Sequence, residues 1–372
     1  MALNNAGPIR VVVVDDSPSV RELLVQLLNA ADEINVVSAG GSGEDAVRLV
    51  KSQRPDVLVM DVRMPQIDGL EATRRIMREN PVPIVLISAD MNRPNLSLAF
   101  EAIRAGALTV IGKPSMDDEV SCEKVVQTVR TMARVPVIHH WREASSKASA
   151  GPLPRPLRGP ALAPPRLTPR ELDVIGIASS TGGPSALSVI LKRLTPAFPL
   201  PILVVQHVSN GFTAGLVEWL NTQAGLPVQV AANGERLLPG CVMVAPEDYH
   251  LQVGRRGEVQ LLKSPPYRSL RPSANFLFHS LASVYGRSAL GIILTGMGDD
   301  GVDGLAALHH AGAVTVAQDE QSCVVYGMPG EAVARKAASH VLDLDQIAGM
   351  LEDLETGAPP VEQASPFPAS ER

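Results

Sequence analysis

Residues 174–185 read V-I-G-I-A-S-S-T-G-G-P-S. A β-branched apolar run breaks off at small and hydroxylic residues, two glycines and a proline. Ala186, Leu187, Ile190, Leu191 and Leu194 then recur at helical spacing. This predicts a buried strand, a tight turn and a helix, the repeating unit of parallel α/β sheets. Open sheets of this kind place their chemistry at the carboxyl ends of their strands, and the following helix turns its positive N-terminus on the same point. Ser180 sits on that corner as a candidate nucleophile, beside backbone N–H groups suited to an oxyanion. The stretch also reads as a glycine-rich turn that binds phosphate or merely connects. It lacks the G-x-G-x-x-G and following acid of a dinucleotide site.

With 372 residues, 45% of them hydrophobic and 19% charged, the chain has material for two domains with real cores. The net charge of −6 argues against a nucleic-acid partner. No run of 18 uncharged apolar residues appears, so no membrane insertion is expected, and the polar first ten residues lack the apolar run of a signal peptide. Three cysteines, Cys122, Cys241 and Cys323, fit neither a disulfide framework nor a metal spacing, which points to a reducing cytoplasm. Charge is uneven: residues 134–170 carry seven Lys/Arg against one acid, so +6, leaving −12 for the rest. Eight prolines in that basic stretch mark it as a linker, and the Pro-, Ala- and Ser-rich residues 357–372 read as a disordered tail. The expected division is 8–133, linker 134–170, 171–356 and tail.

In the first division the apolar run at 9–14 ends in Asp15-Asp16, as a strand buried on both faces would. Ser17 can cap the next helix, with Pro18 at its first position. Further strands are expected at 35–38, 56–60, 83–87 and 108–111, separated by helices at 44–52, 70–78, 96–104 and 118–132. That alternation makes a doubly wound parallel sheet. Asp61, Ser88 and Lys113 fall at later strand ends and would join Asp15 and Asp16 on one edge. Three gathered carboxylates invite a hard cation such as Mg²⁺, a lysine and a hydroxyl would steady a phosphoryl group, and Asp61 could become an aspartyl-phosphate. These residues, in V-V-V-V-D-D-S, V-M-D-V-R-M-P-Q-I-D-G-L and G-K-P, make residues 9–132 resemble a response-regulator receiver domain. The resemblance implies Asp61 as phospho-acceptor, Asp15 and Asp16 as Mg²⁺ ligands, Ser88 as switch hydroxyl and Lys113 as the phosphoryl-binding lysine. Val110 stands where such domains usually carry Phe or Tyr.

The second division repeats the logic. P-I-L-V-V-Q at 201–206 is a buried strand ending in His207, and the strand at 289–294 leads into T-G-M-G-D-D-G at 295–301. Residues 251–254 and 258–262 read as a hairpin, 212–222 and 274–285 as helices, 314–317 as another strand. A mostly parallel sheet with helices on both faces and an antiparallel hairpin is expected. Ser180, His207 and the Asp299/Asp300 pair would meet as nucleophile, base and acid if the strand ends converge. Each also has an ordinary reading as a strand-end polar group or helix cap. A-S-S-T-G is not the G-x-S-x-G of common esterases, and the order Ser, His, Asp differs from theirs.

I-G-I-A-S-S-T-G-G-P, V-V-Q-H-V, V-A-P-E-D-Y-H-L, R-P-S-A-N-F-L-F-H-S, I-L-T-G-M-G-D-D-G and A-Q-D-E-Q-S-C-V-V-Y-G-M-P make residues 172–350 similar to the catalytic domain of the CheB family of chemotaxis protein-glutamate methylesterases. A receiver joined by a linker to this domain is that family's architecture. The resemblance implies Ser180 rather than Ser179 as nucleophile, His207 as base, Asp300 as acid, and the N–H groups of Thr181 and Met297 as oxyanion donors. It also implies demethylation of receptor glutamates and deamidation of glutamines without a cofactor, methylated chemoreceptors as substrates and a CheA-type histidine kinase as phosphodonor. A rival reading keeps the second domain as a phosphorylation-dependent binding module in another chemosensory pathway. Q-H-V-S-N-G-F and Gly330 after G-M-P depart from the usual pattern near the pocket.

Overall fold

The computed structural model describes residues 7–88, 99–103, 105–115, 117–133, 135, 165, 167–168, 171–208 and 211–356. Most of the expected linker, all of the expected tail, residues 96–98 and 104 of the expected helix, and Ser209 and Asn210 lie outside the described residues.

Apolar runs become strands wherever both faces are covered. β1 (Ile9–Val14), β2 (Ile34–Gly40), β3 (Val57–Asp61), β4 (Ile84–Ser88) and β5 (Thr109–Gly112) form a parallel sheet of order β2-β1-β3-β4-β5. Every residue of β3 and β4 is buried, as a parallel sheet between two helix layers requires. Helices Gly43–Gln53 and Gly69–Glu79 begin at side-chain caps: Ser42 Oγ accepts from the Asp45 N–H at 3.1 Å and Asp68 Oδ1 from the Glu71 N–H at 2.9 Å. Such caps contribute about 1 kcal/mol each. Ser17 makes no cap hydrogen bond to helix Pro18–Asn29, contrary to expectation. Its own N–H is drawn instead to Asp15 Oδ1 at 2.9 Å, and Pro18 starts the helix unaided.

The second sheet is larger than the sequence suggested. β6 (Val174–Ser179), β7 (Ile202–Gln206), β8 (Val228–Val230), β9 (Val242–Val244), β12 (Ala289–Ile293), β13 (Val314–Gln318) and β14 (His340–Leu342) run parallel in the order β14-β13-β12-β6-β7-β9-β8. β10 (His250–Val253) and β11 (Val259–Leu262) form the expected antiparallel hairpin. The two edge strands β8 and β14 escaped prediction because three residues carry no readable period. Alternate residues of β6 feed two cores. Ile175 and Ile177 pack towards helices Gly183–Leu191, Thr213–Gln223 and Leu344–Thr356, while Val174 and Ala178 pack towards Phe278 and Leu305. The chain leaves β6 towards β7 and returns on the other side through β12. The direction of winding therefore reverses between β6 and β12, which opens a crevice at their carboxyl ends.

The two halves touch. Phe100, fully buried, stacks on Trp219 with ring centroids 5.6 Å apart and an interplanar angle of 22°. Val110 packs against the core of the first sheet, which contains Leu58 and Leu86, and against the core containing Ile175. Thr131 Oγ1 lies 2.8 Å from Met297 Sδ.

Candidate active site

Ser180 is the first residue past β6. β6 and β7 pair in the register Ser179 with Gln206, and the His207 N–H donates to the Ser179 carbonyl at 3.0 Å. Ser180 and His207 are thus the next step on neighbouring strand tips, where paired strands run about 4.8 Å apart. On its other side the Ser180 N–H donates to the Thr295 carbonyl at 3.0 Å, which ties it to the tip of β12. The turn needs its glycines. Gly182 adopts φ +79°, outside the range open to most side chains. A Cβ on Gly296 would lie 2.7 Å from the Ser180 Cβ, so only glycine lets the loop after β12 come this close.

The Asp299-Asp300 pair divides its labour. Asp300 is 4% exposed and its carboxylate is fully engaged. Oδ2 is 2.8 Å from His207 Nε2 and accepts from the Ala274 N–H at 2.7 Å; Oδ1 accepts from Ser273 Oγ at 2.5 Å and from Asn275 Nδ2 at 3.0 Å. Burial alone would raise the Asp300 pKa, but the hydrogen bonds from His207, Ser273 and the Ala274 N–H outweigh it and hold the carboxyl below its ordinary value. Because Asp300 claims Nε2, that nitrogen carries the proton of the neutral ring and Nδ1 is left as the basic nitrogen. Asp299 faces outward and pairs with Arg268 and with Arg335 Nη2, the latter at 2.9 Å. The Arg268 guanidinium foremost, with Arg335, keeps its carboxyl below the usual range.

Thr181 and Met297 flank Ser180 in the turn after β6 and the loop after β12. Among the described residues no oxygen accepts a hydrogen bond from either backbone N–H. Ser273 and Asn275 were not singled out by sequence reasoning. Their signal lay in the S-A-N triplet opening helix Ala274–Val284, where a hydroxyl and an amide at a helix N-terminus can hold an anion.

On the other sheet, Asp15, Asp16 and Asp61 offer carboxylate oxygens within 4.8 Å of one another. Asp15 and Asp61 are buried while Asp16 is exposed. Lys113 Nζ bridges the buried pair, 2.8 Å from Asp15 Oδ2 and 2.7 Å from Asp61 Oδ2. Burial pushes the Asp61 carboxyl above its ordinary value against the pull of Lys113. Ser88, buried, ends β4, and its carbonyl accepts from the Lys113 N–H at 2.9 Å. A set of hard oxygen donors with a solvent-facing member suits Mg²⁺, which keeps several waters.

Among the described residues no helix is long and apolar enough to cross a membrane. Residues 11–124 match the response regulator receiver domain family and residues 175–351 the CheB methylesterase family. A protein-glutamate methylesterase/protein-glutamine glutaminase of Nitrosospira multiformis is 43% identical over 350 residues, covering 93% of this chain and 97% of the relative. A similarly named protein of Myxococcus xanthus is 43% identical over 355 residues, covering 94% and 98%. The crystal structure of the Thermotoga maritima CheB methylesterase catalytic domain gives a TM-score of 0.48 at 37% identity, over 49% of this chain and 98% of that one. With a receiver domain, a methylesterase domain and relatives alike over nearly their whole length, the chain belongs to the CheB family of phosphorylation-regulated protein-glutamate methylesterases.

Proposed function

We propose that the chain hydrolyses γ-glutamyl methyl esters on chemoreceptors, with Ser180 as nucleophile, His207 as general base and Asp300 as the acid that orients the base. The observation that carries this reading is the 2.8 Å contact of His207 Nε2 with a buried, ionised Asp300, on the strand tip beside Ser180. His207 Nδ1 takes the Ser180 proton as Oγ attacks the ester carbonyl. The Thr181 and Met297 N–H groups receive the developing oxyanion; one such donor is worth about 3 kcal/mol in barrier. Asp300 holds the tautomer and stabilises the imidazolium, which gives its proton to the leaving methoxy oxygen so that methanol departs. Water, deprotonated by the same nitrogen, then cleaves the acyl-enzyme. With a glutamine side chain the same steps release ammonia. No cofactor enters this chemistry.

Residues 8–133 act as the receiver, 171–356 as the hydrolase, 134–170 as the basic linker and 357–372 as the tail. Asp61 accepts a phosphoryl group from a CheA-type histidine kinase, and Lys113 and Ser88 bind its oxygens. Asp15, Asp16 and Asp61 would hold Mg²⁺, which when bound offsets the negative charge of the phosphoryl group. The Thr131 contact on Met297 and the Phe100–Trp219 stack support restraint of the esterase by the unphosphorylated receiver. The expected setting is the cytoplasm, without membrane insertion or a nucleic-acid partner. The test is methanol release from methylated receptor with and without a phosphodonor. Ser180→Ala is expected to fold and to release none; a folded, active variant overturns the assignment.

A further inference from the structure

The last residue of β7, Gln206, is 2% exposed, at the end of a strand that otherwise reads I-L-V-V. Two other strands of this sheet end in apolar residues, Val244 on β9 and Ile293 on β12. Burying a primary amide is costly unless every polar position finds a partner. Here each does. Oε1 accepts from Ser179 Oγ at 2.6 Å, and Nε2 donates to the Ser180 carbonyl and to the His207 carbonyl, both at 2.8 Å. The amide cannot be turned over, because two carbonyls can only accept and so must face the NH₂ group. Nor can it move aside: a Cβ on Gly183 would fall 2.0 Å from Oε1, so the helix start closes over it.

The two carbonyls it joins belong to the residues assigned above as nucleophile and base. We propose that Gln206 is a positioning residue that holds Ser180 and His207 in their reactive relation, an inference that rests on that assignment. Strand pairing ends at Ser179 and Gln206, one step short of both side chains. Beyond that pair one backbone bond remains, from the His207 N–H to the Ser179 carbonyl, and the Gln206 amide adds a second link by joining the Ser180 and His207 carbonyls. The same device stands across the crevice. Gln318, wholly buried at the end of β13, accepts from the Thr295 N–H at 2.8 Å and donates to the Ser322 carbonyl at 2.8 Å. One glutamine braces the side bearing the nucleophile and base, the other the strand tip that leads to Met297.

The test uses the full-length protein and methanol release from methylated receptor, with active sites counted by a phosphonate burst. Gln206→Met keeps the shape and removes the polar atoms; kcat per active site is expected to fall about a hundredfold, the scale of an ångström-sized misplacement, with KM unchanged. A merely structural role would lower the active fraction or Tm and leave kcat per site alone, and that result overturns the proposal. Gln206→Glu turns the donating group into a carboxylate oxygen facing two carbonyls. Protonation restores one donor, so the ratio of variant to parent kcat is expected to rise as pH falls; a flat ratio overturns the proposal. Should Gln206→Met not fold, Ser179→Ala removes the hydroxyl that anchors Oε1, and kcat is again expected to fall at constant KM, parental kcat being the contrary result. Turnover by Ser180→Ala would instead refute the nucleophile, whereas an inert Ser180→Ala beside a fully active Gln206→Met refutes only the brace.

Discussion

Asn275→Asp exchanges one NH₂ for an oxygen at the most crowded point of the site. The Asn275 Oδ1 that accepts from the Gly304 N–H at 2.8 Å keeps its counterpart, while the Nδ2 that donates to Asp300 at 3.0 Å becomes a carboxylate oxygen. Two carboxylate charges about 4 Å apart at an effective dielectric near 20 repel by about 4 kcal/mol. At about 1.4 kcal/mol per decade, the proton affinity of the pair rises about a thousandfold. The pair then retains a proton at pH values where Asp300 of the parent is ionised, as closely spaced carboxylates do. Ser273 and the Ala274 N–H still point at Asp300, so the geometry survives and the charge behind His207 is what changes. The expected loss in kcat near neutrality lies between tenfold and the roughly 10⁴-fold ceiling set by disabling a triad acid. It is recovered as pH rises and the pair sheds its second proton. Methanol release at saturating methylated receptor from pH 6 to 9, with a melt at each pH, reads this directly. A pH profile superimposable on the parent's, at equal kcat, refutes the role given to Asp300. Asn275→Leu separates charge from packing. It loses one hydrogen bond to a charged group and strands the Gly304 N–H, for about 3–5 kcal/mol of stability, without the pH-dependent recovery.

Asp61→Asn is expected to keep unstimulated turnover and lose stimulation by a small-molecule phosphodonor, since it cannot gain the roughly −1.5 to −2 charges of a phosphoryl group; equal stimulation of variant and parent contradicts this. Phe100→Ala removes the stack on Trp219 and is expected to raise turnover without a phosphodonor, measured as basal methanol release. His250 is held neutral: burial foremost lowers its pKa from the ordinary 6.5, its Nδ1 accepts from the Ser273 N–H, and its Nε2–H donates to the Pro265 carbonyl. The unfolded chain therefore takes up this proton first. Its contribution to stability is complete above 6.5 and declines as pH falls below that value. Urea denaturation between pH 7.5 and 5.5 is expected to show that slope, reduced in His250→Gln.

Sequence alone carried the architecture far, because strands buried on both faces must be continuous apolar runs and their ends must then turn polar. The runs at β1, β3, β6, β7 and β12, and the polar residues that end them, were legible for that reason. Ser180, His207 and the Asp299/Asp300 pair stood out as candidates at strand ends, but the same residue types there also read as caps and turn formers, and only the family resemblance singled out Ser180 and Asp300. Local pattern could not say which aspartate turns inward. Only the packing of helix Ala274–Val284 against the loop after β12 buries Asp300 under Ser273, Ala274 and Asn275 and leaves Asp299 to Arg268 and Arg335. Local pattern could not name the imidazole nitrogen that meets Asp300 either, because that contact joins residues 93 apart in the chain. Gln206 was invisible as anything but a polar strand end until the fold set two carbonyls against its amide. Periodicity records which face of an element is apolar. Hydrogen bonds between strand tips depend on distances and directions that exist only once the sheet has closed.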